Sequence, residues 1–449
     1  MQKLFFIFLS AIIIVCGVII CSNALAVSLQ PGDSAGVVHL FKSTSSSTDP
    51  YTNNPSADQQ QWISSHYMGM LVYSPYWDSK LSWYSQAYAY KDAYAIYTSD
   101  SATIASHPEW ILKDTNGNNL YINWNCKGGT CPQYAADISN PDYRQAWTNA
   151  IAPVLAKGYR GLFIDDVNMD WRISDGNGNS LCNDGNNAGA CPTVMDPNTG
   201  APMKLEDWRM YFAQFLQQIR GAFPNAAIIH NSIWYAGGPN GLSDPYIQQQ
   251  ILGANMQYIE HGVTDAGVTG DGGQYSLQAM QNRIDTIHSL GRSVILGASG
   301  SVTSDEEYTT ANYFLTSNGY DAVGSSGASN FWDTYWTGFD TNFGTPAGDR
   351  YVWNGLIRRD FTGGIVLVNP PGSAAQTLTL PAVFQRTDGS QVSSLILTAG
   401  QGALLAAVGD NSTPPPVVAP DPLTGPKSPR RFAPNAALGL NRKMLAQTP

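Results

Sequence analysis

The chain has 449 residues, a net charge of −10 and only 13% charged residues, against a usual fraction of about 25%. That length exceeds one compact domain, so a large domain and a smaller one are expected. Lys3 puts one positive charge in the first 26 residues, and the segment after Asp410 carries a net four. The body between them is therefore left at about −15, which repels polyphosphate and excludes nucleic acid as a partner.

The first segment, "MQKLFFIFLSAIIIVCGVIICSNALA", joins an early lysine to an apolar run from Leu4 to Cys21 and a small-x-small site at Ala24-Leu25-Ala26. It reads as a secretory signal over 1–26, with the mature chain starting near Val27 and an extracellular destination. The run is longer than most signal cores, so an uncleaved membrane anchor is the alternative.

From Val37 onward, short β-branched runs alternate with amphipathic segments. The expected strands are "VVHLFKS", "GMLVYSPY", "AYAIYTS", "GLFIDD", "AAIIHNS", "QYIEHG", "SVILGAS" and "DAVGSS". Helical patterns follow at "NPDYRQAWTNAIAPVLAKGY", "KLEDWRMYFAQFLQQIRGAF", "SLQAMQNRIDTIHSLG" and "SDEEYTTANYFLTSNG", several opened by a polar cap and closed by glycine. Strand and helix in alternation imply a parallel sheet, and eight such units over 27–347 imply an α/β fold, a (β/α)8 TIM barrel. An open doubly wound sheet is disfavoured because no glycine-rich phosphate turn follows the first strand.

Near Gly348 the pattern changes to strands with tight turns. Thr362-Gly363-Gly364 and Asp388-Gly389 separate alternating runs, so 348–409 reads as a small all-β sandwich domain. Residues 410–449 are Pro-rich and basic with no sustained period, as in a disordered tail. Four cysteines form two close pairs, Cys126 with Cys131 and Cys182 with Cys191. Export favours disulfides within each pair over a metal site.

The segment "GLFIDDVNMD" runs four strand-forming residues into two carboxylates, Asp165 and Asp166. In a barrel, reacting groups sit at the C-terminal ends of strands. Asp165 ends the fourth expected strand and Glu260 the sixth, so both face one mouth. Side chains alternate along a strand, which sends Phe163 and Asp165 toward the axis and Asp166 to the rim, to bind or orient. A pair of this kind suits glycoside hydrolysis, with one carboxylate attacking the anomeric carbon and one protonated acid releasing the leaving oxygen. The competing reading is that an aspartate here caps the following turn.

The succession "HPEWILKDTNGNNLY", "ADISNPDYRQAW", "KGYRGLFIDDV", "IIHNS" and "RRDFTGGIVLVNP" resembles a bacterial glycoside-hydrolase-like family labelled hypothetical glycosyl hydrolases of family fifteen. The likeness covers most of residues 37 to 407 and implies an amylase-type barrel followed by a small β-sandwich. "GLFIDD" is also similar to the fourth-strand Gly-x-x-x-Asp signature of α-amylases and α-glucosidases, which implies Asp165 as nucleophile. Amylases place an arginine two residues before that aspartate, where this chain has Phe163, and their acid on the fifth strand, where it has His230 and Asn231. An acid on the sixth strand is the arrangement of α-glucosidase, α-galactosidase and dextranase relatives, and that matches Glu260.

Other residues fill out the expected site. Asp137 either opens a capped helix or binds sugar. His230 and Asn231 either donate to a substrate hydroxyl or are satisfied in the core. Among aromatics near the strand ends, Trp77, Trp234 and Trp332 are candidates to stack on sugar faces. "DGNGNS" from Asp175 resembles the start of a calcium loop but lacks the sixth-position glycine and the closing acid. The expected function is a secreted, monomeric glycosidase of retaining type acting on a carbohydrate, with no cofactor and no metal. The alternatives are a catalytically inactive glycan-binding barrel and a metal-dependent barrel hydrolase built on His39, His230, His261 and Asp321.

Overall fold

The computed structural model describes residues 35–181, 193–298 and 303–409. The expected signal, the 410–449 tail and the Cys182–Cys191 pair lie outside the described residues. Eight parallel strands close a barrel: β1 (Leu40–Ser43), β2 (Tyr67–Val72), β3 (Ala87–Asp92), β4 (Gly161–Val167), β5 (Ala227–Ser232), β6 (Met256–Ile259), β7 (Ser293–Leu296) and β8 (Ala322–Ser326). The ring shuts where Leu40 of β1 pairs with Val323 of β8. Among the described residues, six helices of nine residues or more pack outside: α1 (Ala57–His66), α2 (Pro141–Leu155), α3 (Leu205–Ala222), α4 (Pro245–Gly253), α5 (Leu277–Ser289) and α6 (Thr303–Thr316). The β2–β3 connection carries a 3-10 turn, Asp78–Lys80, where a regular barrel has a helix. Helices α1 and α4 add to the four expected from the sequence patterns.

Strand alternation fixes what fills the barrel. Phe41, Tyr88, Phe163 and Tyr258 point inward, with ring centroids 5.3 to 6.5 Å apart. Burial of each large ring stabilises the fold by about 1.5–3 kcal/mol. Phe163 therefore has a packing role at the position where amylases carry arginine. Room for the rings is made at Gly69, where a methyl group would come within 3.0 Å of Tyr88 and Phe41. Gly161 lets β4 approach β5, since a side chain there would meet the Ala227 carbonyl oxygen at 1.7 Å.

One strand differs from expectation. The third barrel strand is Ala87–Asp92, "AYAYKD", and the expected "AYAIYTS" supplies Ala95–Tyr97 to a separate sheet. The two segments are consecutive and alike, and the Lys91-Asp92 pair made the first look less buried than it is. That separate sheet is antiparallel, in the order Ala95–Tyr97, Gln133–Ala135, Tyr121–Ile122, Ile173–Ser174. Its strands come from the segments that follow β3 and β4, so it sits over the C-terminal ends of those strands.

The C-terminal domain is a six-stranded antiparallel sheet: β9 (Tyr351–Trp353), β10 (Leu356–Phe361), β11 (Gly364–Asn369), β12 (Gln376–Gln385), β13 (Gln391–Leu397) and β14 (Gln401–Ala407). Thr362-Gly363 forms the two-residue turn between β10 and β11, with Phe361 paired to Gly364. The β12–β13 hairpin meets β14 at Phe384 and Gln385 alone. Its inner residues Leu378, Leu395 and Leu397 share a core with Leu356, Ile365 and Leu405 of the other strands, all within one continuous sheet where a sandwich was expected. Helix α6 is buried on nearly every face between barrel and sheet. A methyl group on Gly402 would lie 2.6 Å from Ala311 of that helix, and Glu307 accepts the Leu404 N–H at 3.3 Å.

Candidate active site

Each mouth residue stands two positions beyond an inward-facing core residue of its strand. On β3, Tyr88 is followed by Tyr90 and Asp92; on β4, Phe163 by Asp165; on β5, Ile229 by Asn231; after β6, Tyr258 by Glu260. Asp92 and Asp165 are register partners on neighbouring strands. Asp165 is 2% exposed and its carboxylate is held from three sides. Oδ1 accepts the Asn231 amide at 2.8 Å and the Asp166 backbone N–H at 2.8 Å, while Oδ2 accepts the Tyr90 hydroxyl at 2.6 Å. The same Asn231 nitrogen donates to Glu260 Oε2 at 3.0 Å. An amide nitrogen has two protons, so one goes to each carboxylate.

Parity alone would turn Asp166 away from this group. Its φ of +55° breaks the alternation, and the pairing of β4 with β5 slips between Ile164 and Val167. A local bulge of this kind re-aims a side chain. The result is that Asp92, Asp165 and Asp166 each bring a carboxylate oxygen within 4.8 Å of the others. Asn168 reaches back to Asp166 Oδ1 at 3.2 Å. Tyr97 donates to Asp92 Oδ2 at 3.0 Å, and burial together with the Asp92 charge pushes its phenol above the ordinary range. Glu260 is more open, with its side chain 27% exposed and His261 Nε2 3.9 Å away. Burial and the Glu260 charge push the Tyr258 phenol up to about 12.

Among the described residues, the three aspartates are the group whose oxygens are spaced to hold a cation. The histidine set of the metal-hydrolase alternative is scattered. His39 and Asp321 lie at the N-terminal ends of β1 and β8, where His39 Nδ1 faces the Asp321 carbonyl at 3.2 Å. His230 faces outward from β5, and His261 stands at the mouth. No common cage joins them, so that alternative is set aside.

Residues 70–365 match the model of hypothetical glycosyl hydrolase family 15. The chain belongs to that family. Among solved structures, this family-15 chain is similar to the glycoside hydrolase domain of PelA from Pseudomonas aeruginosa, at 16% identity over 64% of this chain and 94% of that one, with a TM-score of 0.37. It is also similar to an alpha-amylase from Lactobacillus plantarum, at 10% identity over 82% and 99%, TM-score 0.44. A GH31 dextranase from Flavobacterium johnsoniae shares 10% identity over 84% and 52%, TM-score 0.41. Curated proteins gave no match.

The family-15 mouth gathers some expected residues and leaves others aside. Asp165, Asp166, Asn231 and Glu260 come together. Asn231 holds the two acids together through its amide. His230 is a correction: opposite parity sends it into the layer under α4, where Gln250 Nε2 meets its Nδ1 at 3.1 Å. Burial lowers its pKa to about 3, so it stays neutral. Trp77 is a second correction. It is 1% exposed and packs on Trp83 and Tyr84, so no sugar can reach its face.

Trp234 and Trp332 are half-buried in the loops after β5 and β8, Trp234 against Tyr235 and Trp332 against Tyr51 and Phe331. Asp137 is buried and accepts the N–H and hydroxyl of Ser139, while Asn140 caps α2. Burial raises the Asp137 pKa. The carboxylate of Asp175 is taken up by Asn177 and Asn179 of its own loop, which answers the calcium-loop resemblance. The Cys126 and Cys131 sulfurs are at bonding distance, 2.05 Å. Sequence reasoning missed Asp92, Tyr90 and Tyr97. The available signal was that "YAYKD" ends in an acid at strand parity, as "GLFID" does.

Proposed function

We propose that this family-15 chain is an exported glycoside hydrolase that cleaves an oligo- or polysaccharide with retention, using Asp165 as nucleophile and Glu260 as acid/base. The observation that carries this reading is the Asn231 amide shared between the two carboxylates. Bonds of 2.8 and 3.0 Å to one nitrogen draw one oxygen of each acid close together, which favours the roughly 5–5.5 Å carboxyl spacing of a retaining pair over the roughly 6.5–9.5 Å of an inverting pair with its intervening water. Buried Asp165 is locked by three donors, as a nucleophile of fixed geometry requires. The more open Glu260 can exchange protons with a leaving oxygen and then with water. Asp92 and Asp166 lie where sugar hydroxyls would bind. Export rests on the 1–26 segment, and the partner is a glycan.

The test is a screen against α-linked and amino-sugar glycans and their activated aryl glycosides, with NMR detection of the first anomer released. Retention is expected, together with loss of turnover but preserved binding in Asp165→Asn. Glu260→Gln should keep activated substrates best and gain turnover from added azide. An inverted first anomer, or an active Asp165→Asn protein, overturns the assignment. Glycan binding that is indifferent to both substitutions, with no turnover in the parent protein, would favour the glycan-binding alternative.

A further inference from the structure

We propose that Tyr90 is a positioning residue whose single hydroxyl proton serves two carboxylates in turn, Asp165 when that group is free and Asp92 when Asp165 is esterified. The inference rests on the retaining reading above and deepens it. A phenol has one O–H and donates once, yet the Tyr90 oxygen is 2.6 Å from Asp165 Oδ2 and 2.9 Å from Asp92 Oδ1. Charge-assisted O–H···O contacts run to about 2.5–2.7 Å, so at rest the proton points to Asp165. Asp92 is the acceptor in waiting, fixed through its other oxygen by Tyr97 at 3.0 Å. The ring cannot follow the proton, because it packs on Phe163 (6.3 Å, 17°) and Tyr73 (4.9 Å). Rotation of the hydroxyl about its C–O bond is enough.

The exchange follows the charge. In the first step an Asp165 oxygen bonds to the anomeric carbon, the bond to the leaving oxygen breaks, and that oxygen takes the Glu260 proton. Asp165 is now a neutral ester and a poor acceptor, so the Tyr90 hydroxyl turns to Asp92 Oδ1, its other acceptor. In the second step water bonds to the anomeric carbon and yields a proton to Glu260. The ester bond breaks, charge returns to Asp165, and Tyr90 turns back to stabilise it. No proton crosses Tyr90, which helps the carboxylate leave. Other groups facing Asp165 include Asp166 on its own strand, Asn231 from β5, Tyr258 and Glu260 at the end of β6 with His261 behind, and Tyr97 from the covering sheet, while Lys91 of β3 interacts electrostatically with Asp92.

The full chain with 13C-labelled aspartate is titrated by NMR, following the Asp165 carboxyl in the parent protein, Tyr90→Phe, Asp92→Asn and the double variant. Loss of the donor should raise the Asp165 midpoint by about one pH unit, and loss of the neighbouring charge should lower it by a similar amount. Midpoints that move the same way, or stay put, overturn the paired contacts, and shifts that simply add in the double variant overturn the shared proton, since an independent donor and an independent charge would not couple. The reaction role is read separately. With an activated aryl glycoside, Tyr90→Phe should lower kcat and KM together by about tenfold or more and show a glycosyl adduct in acid-quenched protein mass. Lower kcat with unchanged KM and no adduct overturns that role. The titration needs no substrate, so opposite midpoint shifts in a parent protein that cleaves no glycoside would mark failure of the glycosidase reading and remove only the exchange built on it.

Discussion

The barrel buries aspartates at both ends, and the two ends treat them differently. At the N-terminal end Asp321 is enclosed by donors belonging to the framework: the Val294 N–H at 2.7 Å, the Asn318 N–H at 3.3 Å and His288 Nε2 at 3.0 Å. Those donors tie β8 to β7 and to α5. At the mouth, Asp165 takes one backbone N–H and two side-chain donors that it shares with Glu260 and Asp92. It also stands against two further carboxylates. A carboxylate wrapped by its own framework holds the fold; one that shares donors and crowds its own kind stores a cost that binding or chemistry can relieve.

The contrast is sharpest for removal of charge. Asp165→Asn should reduce kcat by at least about a thousandfold and leave stability unchanged or about 1 kcal/mol higher, because the crowding is relieved. Asp321→Ala should do the reverse, costing about 3–5 kcal/mol in denaturant unfolding with kcat at permissive temperature within roughly twofold. Equal behaviour of the two variants in either assay would break the comparison. Next in size is Asn231→Ala, which removes the donor common to both acids. It should lower kcat/KM by about a hundredfold with a stability change under about 1 kcal/mol, and a large loss of stability would move Asn231 to the framework class.

How much of this was legible in the sequence follows from how regular each segment is. "GLFID" obeys strand alternation up to Asp165, so counting by twos from an inward Phe163 reaches the mouth. The next residue could not be read that way, because the left-handed backbone at Asp166 returns the side chain to the axis, and the preference of aspartate for that conformation is too weak to place a bulge from sequence. Asp92 was hidden by its neighbour: "AYAIYTS" is a cleaner strand pattern than "AYAYKD", yet the barrel takes the second. His230 and Asn231 were read as a unit although a strand turns successive side chains to opposite faces, and applying alternation would have separated them. The aromatics show the limit of local reading. Trp77 and Trp332 look alike in sequence, but tertiary packing buries one fully and leaves the other half open.

His230 gives the smallest effect and the finest test, because it lies level with the mouth but should behave as framework. It is fully enclosed, with Gln250 on its Nδ1, and burial lowers its pKa to about 3 from the ordinary 6.5. Since the folded value is depressed, the unfolded chain binds this proton first as pH falls. Stability from the neutral ring is fully present above about pH 6.5 and is lost progressively toward the folded value, at up to about 1.4 kcal/mol per pH unit for one proton. Unfolding free energies measured between pH 7 and 4 should therefore fall less steeply in His230→Gln than in the parent protein. The pH dependence of turnover should be the same in both, because the ring faces α4 and not the mouth. An unchanged unfolding slope together with a displaced activity profile would put His230 on the catalytic side of the comparison.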